Sequence, residues 1–133
     1  MSKEISIIKS VEFDYGKIVL RNDNIIAYYP KEGVEKFTKP HLKQMLPIIL
    51  ELADGKVVPY FSHNFNLKGM DGESKAYIMQ HMDKFAIAFA MTERSALTRF
   101  LTHSMLTLWR PPFPVKMFKT EQEAFHWLKT YAI

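Results

Sequence analysis

Between Phe85 and Ile133 the apolar pattern changes its period three times. FAIAFAM (85–91) is nearly unbroken in apolar character and carries no charge. That is the pattern of a strand buried on both faces, as in a parallel sheet covered by helices. Over 93–109, Leu97, Phe100, Leu101, Met105 and Leu108 fall on one side of a helix. Thr92 is its natural cap, and Arg110-Pro111-Pro112 ends it. FPVKMF (113–118) predicts a last strand. Thr120, with Glu123 three residues on, reads as a capping box. The helix it opens carries an apolar stripe of Ala124, Trp127, Leu128 and Tyr131.

Upstream, ISIIKSV (5–11), KIVLR (17–21) and NIIAYY (24–29) read as strands of a small antiparallel meander. Tyr15-Gly16 and Asn22-Asp23-Asn24 supply its turns. Helical periodicity then runs to Ala53, through Leu42, Met45, Leu46, Ile49 and Leu50. Pro40 suits a first helical turn, whereas Pro47 conflicts with an unbroken helix. Two helical segments, near 31–38 and 40–53, are therefore expected, with Gly55 as the stop. KVVPYF (56–61) predicts a buried strand, in which Pro59 calls for a bulge or an early end. A polar loop, SHNFNLKGMD, leads to a helix near 72–82 with Asp71 as N-cap and Tyr77, Ile78 and Met82 inward. Three strands followed by alternating helices and strands define an α/β class. The expected fold is a mixed, mostly parallel sheet with N-terminal antiparallel strands and four helices packed on it.

A chain of 133 residues is of single-domain length, and one domain over 1–133 is expected. At 47% apolar and 24% charged residues it needs no unusual environment to fold. It contains no cysteine, which removes disulfides, thiolate metal sites and a cysteine nucleophile. The start, MSKEISIIKS, lacks the long apolar stretch of a secretory signal, and no apolar run reaches the length of a membrane span. The expectation is a cytoplasmic protein. The net charge is +4 and the isoelectric point about 9.2. The lysines are scattered among carboxylates and not interleaved with aromatics, so no nucleic-acid partner is expected.

Little chemistry stands out. His41, His63, His81, His103 and His126 include no pair spaced for a helical metal site, and HExxH is absent. The five glycines are dispersed, and no glycine-rich phosphate loop exists. No carboxylate pair for acid–base work can be argued, and no metal or cofactor is expected. In open α/β sheets ligands collect at the carboxyl ends of parallel strands. Two loops leave such ends, Ser62-His63-Asn64 and Thr92-Glu93-Arg94-Ser95. The second opens a helix whose free N–H groups favour an anion, and Ser95 and Arg99 share a helical face. Ser62, His63, Arg94, Ser95 and Arg99 are accordingly the candidate ligand- or partner-binding residues. Weighed against that, Thr92 or Ser95 serves as a cap and Arg99 is solvated or ion-paired. Eight methionines suit an adaptable apolar pocket or ordinary core packing.

AIAFAMTERSALTRFL followed by FPVKMFKTEQEAFHWLKTY resembles the C-terminal half of small bacterial STAS-like proteins, similar to the SpoIIAA anti-sigma-factor antagonist. The likeness lies in the apolar strand, Ser95 and Arg99 four apart, Pro114-Val115 with Phe118, and Glu121, Ala124, Trp127 and Leu128. It implies a STAS-like sheet with packed helices and a non-catalytic role in protein regulation or in nucleotide or lipid binding. Antagonists of this kind carry a phosphorylatable serine at a helix start. Asp71-Gly72-Glu73-Ser74 is the matching region, which marks Ser74, although the paired serine and following glycine are missing. The leading expectation is a regulatory or protein-interaction domain with a homodimeric or protein partner. The alternative is a carrier of a small molecule or lipid, with an apolar pocket near Phe61, Phe65 and Trp109. An enzyme ranks third.

Overall fold

The computed structural model describes residues 4–64, 69–93, 99–100, 103–104, 106–107 and 110–132. Strands β1 (Ile7–Phe13), β2 (Gly16–Arg21) and β3 (Ile26–Pro30) form the antiparallel meander. From β3 the sheet continues in parallel through β5 (Val58–His63), β7 (Ala86–Thr92) and β8 (Val115–Phe118). The spatial order is β1-β2-β3-β5-β7-β8. Two short strands, β4 (Lys36–Phe37) and β6 (Gly69–Met70), pair in parallel as a separate strap. Three helices have defined bounds: α1 (Lys39–Ala53), α2 (Gly72–His81) and α3 (Glu121–Lys129). A single 3-10 turn, Met82–Lys84, follows α2.

The sheet is covered on both faces, and the two faces are built differently. On one side α1 and α2 pack over Ile18, Ile26, Tyr28, Tyr60, Phe89 and Met91. On the other, α3 lays Ala124 and Leu128 on Val19, Ala27, Phe61, Ala88 and Ala90. Alanine at these positions leaves room for the α3 backbone to approach the strands. The uncharged run around β7 is thus buried on both sides, as its pattern predicts.

Several expectations are corrected. Residues 31–38 are not helical; a turn and β4 occupy them, and the helix starts only after Thr38, whose hydroxyl accepts the His41 N–H. Pro47 does not divide α1. It stands on the exposed face, where the carbonyl left without an N–H partner can turn to water. Thr92 is the last residue of β7 and is fully buried; the helix start it is expected to cap lies outside the described residues. Of the four expected helices, three are bounded among the described residues. The helix expected over 93–109 lies largely outside them, though 99–100, 103–104 and 106–107 are helical. The bulge expected at Pro59 is present, as a register shift between Val58 and Pro59 against β7. Asp71 and Thr120 cap α2 and α3 through the N–H groups of Ser74 and Glu123.

A buried polar link ties α1 to the meander. The Tyr28 hydroxyl donates to the Tyr15 carbonyl at 2.9 Å and stands 2.7 Å from Nε2 of His41. Its one hydrogen is spent on Tyr15, so Nε2–H of His41 is the donor to Tyr28. The ring is fully buried and stacks on Tyr15 at 4.3 Å. Burial draws the imidazole down from 6.5 to about 4, while the Lys36 backbone works the other way. Between those values the unfolded chain takes up a proton that the folded one refuses. Stability from this group is therefore complete above pH 6.5 and falls as the pH drops towards 4. Urea unfolding should show a loss on the order of 2 kcal/mol between about pH 7 and about pH 4.5 that His41→Gln removes. Parallel pH profiles for the two proteins would contradict it.

Candidate functional site

Between α1, α2 and the sheet lies an apolar cavity of about 90 Å³. Leu42, Met45 and Ile49 form its α1 wall, Tyr77 and Ile78 its α2 wall, and Tyr60, Phe89 and Met91 its floor. Met82 and Phe85 close one end, and Phe37 and Met70 of the β4–β6 strap lie at the other. The floor is aromatic: Tyr60 stacks on Phe89 at 5.4 Å and meets Phe85 edge-on at 5.3 Å. Burial pushes the Tyr60 phenol up, so it stays neutral at any physiological pH. Thioethers from four elements add polarizable, adaptable surface.

The carboxyl end of β5 supplies the polar part of this lining. Ser62 is buried and donates its hydroxyl to Oδ1 of Asn64 at 2.6 Å. Nδ2 of the buried Asn64 stands 3.5 Å from the sulfur of Met91. Side chains alternate along a strand, so Ser62 shares the cavity face with Tyr60, whereas His63 faces α3 with Phe61. Two adjacent candidates therefore belong to opposite sides of the sheet. His63 comes within 3.3 Å of the Thr92 hydroxyl through Nδ1. Its ring lies 5.9 Å from that of Tyr29, whose hydroxyl donates to Glu121 at 2.6 Å. Burial, and then the Glu121 carboxylate, push the Tyr29 phenol up.

The other candidates fall elsewhere. Arg99 pairs through Nε with Oε1 of Glu93 at 2.6 Å. The Glu93 side chain is 3% exposed and that of Arg99 48%, so the guanidinium compensates a buried carboxylate. Arg94 and Ser95 lie outside the described residues. Ser74 is fully buried in the first turn of α2, and a kinase could reach its hydroxyl only if that turn opened. The pocket expected near Phe61, Phe65 and Trp109 is not where the cavity lies: Phe61 points to α3 and packs on Phe125 at 4.7 Å, and Phe65 and Trp109 lie outside the described residues. Tyr60, Asn64 and Met91 are absent from the sequence-derived set. Their signal is the alternation in VVPYFSHN and the methionine content. Among the described residues no group of histidines and carboxylates is arranged to hold a metal, and no helix is long and apolar enough to cross a membrane.

The antiparallel meander, the parallel extension and the two helical layers define an α/β domain with a SpoIIAA-like fold. An uncharacterised protein of the DUF3478 family from Shewanella loihica PV-4, described as having a SpoIIAA-like fold, superposes with a TM-score of 0.58 at 18% identity, over 96% of this chain and 98% of that one. Residues 18–132 match the family Domain of unknown function (DUF7793), and the chain belongs to that family. No curated protein matches the sequence.

The Glu93–Arg99 pair makes a direct prediction. Arg99→Ala strands a buried charge and should destabilise the fold by about 2 kcal/mol, less than a fully buried pair because Arg99 is half exposed. Adding Glu93→Gln should recover most of that loss. Chemical denaturation of the single and double variants measures both, and an unchanged midpoint in Arg99→Ala would remove the structural role given to the pair.

Proposed function

We propose that this domain is a non-catalytic binding module that takes a small apolar molecule in the cavity between α1, α2 and the sheet. The cavity itself carries the reading. Interiors are normally filled to crystal-like density. The α1–α2 face leaves a cavity lined by aromatic rings and methionines, with Ser62, Asn64, the Tyr60 and Tyr77 phenols and His81 as its polar groups. Its lining has the composition of a small-molecule site, and at about 90 Å³ its methionine walls must yield to admit a ring-sized molecule. The phenol of Tyr60 is held neutral, the described lining contains no carboxylate or ammonium, and its one histidine, His81, has no acidic partner within that lining. These features favour holding a ligand over transforming one. Titration with α-methylstyrene, followed through the methionine methyl signals, tests the reading. Saturable shifts at Met45, Met82 and Met91 are expected, and Ile78→Trp, which fills the cavity from its α2 wall, should abolish them. Unmoved signals up to the solubility limit of the compound would refute it.

The sheet edge favours a second reading, as an interaction domain that pairs with its own copy. β1 has β2 on one side only, and Ile7 and Ile8 beside its open ladder are 56% and 61% exposed. An edge strand with free backbone groups and exposed apolar side chains is a template for strand addition, and two copies can satisfy each other about a two-fold axis. Light scattering should give twice the monomer mass, reduced to monomer by Ile8→Lys. A monomer at high micromolar concentration would exclude this arrangement.

A further inference from the structure

We infer that the cavity selects neutral apolar molecules bearing a carbonyl-type hydrogen-bond acceptor, with Asn64 Nδ2 as the group that reads it. This rests on the cavity being a binding site. A carboxamide has two N–H donors and one acceptor oxygen. In Asn64 the oxygen is used, accepting from Ser62 at 2.6 Å. The donors are poorly used: the acceptor that Nδ2 faces is the Met91 thioether at 3.5 Å, and sulfur is a weak acceptor. The opposite orientation of the amide would set its oxygen against the same sulfur, two acceptors face to face, so the donors are the groups turned to Met91. Asn64 is 5% exposed and lines the cavity. Water has little access to these donors, and a buried donor without a good partner is costly to leave so. A ligand carbonyl placed there replaces a thioether contact with a full hydrogen bond.

The same lining sets the charge of the ligand. Among its described residues there is no lysine, arginine, aspartate or glutamate. His81 stands at the margin, half-exposed, with Lys84 Nζ at 2.7 Å from its Nδ1. Burial first, and then the Lys84 charge, draw the His81 imidazole down, so at neutral pH it offers no countercharge. A carboxylate carried to the Ser62–Asn64 end of the cavity would lose its hydration with no cation among the lining residues.

Three probes of one shape separate these claims: acetophenone, α-methylstyrene (its C=CH2 analogue) and benzoate. Calorimetric titration should rank acetophenone at least about fivefold tighter than α-methylstyrene, the effect of roughly one neutral hydrogen bond, with benzoate weakest. Asn64→Leu should erase the preference, bringing ketone and alkene to the same affinity. In the unaltered protein the Asn64 side-chain amide resonances should shift with acetophenone and not with α-methylstyrene, a readout independent of how the variant folds. Equal binding of ketone and alkene, with an unmoved amide, would overturn the role of Asn64 and leave the cavity reading standing. Preference for benzoate would overturn the neutral class. Failure of all three to bind would remove the cavity reading itself.

Discussion

A proline in an interior strand sets the arrangement of the whole domain. β5 lies between two parallel neighbours, β3 and β7, and Pro59 has no N–H to give to either. At that point β7 slips by one residue: Val58 stands opposite Ala86, but Pro59 stands opposite Ala88. Ile87 is the extra residue. A one-residue slip exchanges the faces of everything beyond it. Ala86 and Phe89 therefore face the same side although three positions separate them, and Ala88 and Ala90 face the other. Without the bulge the alanines would meet α1 and α2, and Phe89 and Met91 would be driven into α3.

This phase accounts for the difference between the two faces. The α3 side receives the small residues, which leave room for the helix to approach the strands. The α1–α2 side receives Tyr60, Phe89 and Met91, large side chains that hold the helices away from the strands. The β4–β6 strap precedes both helices: Phe37 comes immediately before the Thr38 cap and Met70 immediately before the Asp71 cap. Its two-residue ladder joins the two helix starts over the carboxyl end of β5, and a Lys39–Glu73 contact at 3.7 Å lies alongside. The cavity is thus bounded by elements whose positions follow from β7.

Much of this is legible in the sequence, because local chemistry fixes it. FAIAFAM announces a doubly buried strand, Asp71 and Thr120 announce their helices, and Pro59 announces a bulge. Residues 31–38 mislead because the helical periodicity that starts at Leu42 extends easily back over a segment whose contacts are with β6, a partner distant in sequence. Thr92 carries two signals at once, since a threonine ending an apolar run suits a cap and a strand equally, and its pairing with β8 shows the strand. The site is less legible for a related reason. Ser62 and His63 are adjacent letters of one loop motif, yet strand alternation sends them to opposite faces. The cavity depends on the phase of β7, which is a pairing property that no single segment carries.

The polar groups of the two faces differ in what they leave unspent. Around His63 the Thr92 hydroxyl, the Tyr29 ring and the Glu121 carboxylate are engaged with one another, and the contacts join β3, β5, β7 and α3. Such a set holds parts of a fold together. Across the sheet, His41 and Tyr28 do the same for α1 and the meander. Ser62 and Asn64 end differently: their chain runs to a thioether, inside a cavity, with donor capacity remaining. A hydrogen-bond chain that closes on itself stabilises the protein alone. One that ends at an open space, on a weak acceptor, is completed by whatever fills that space.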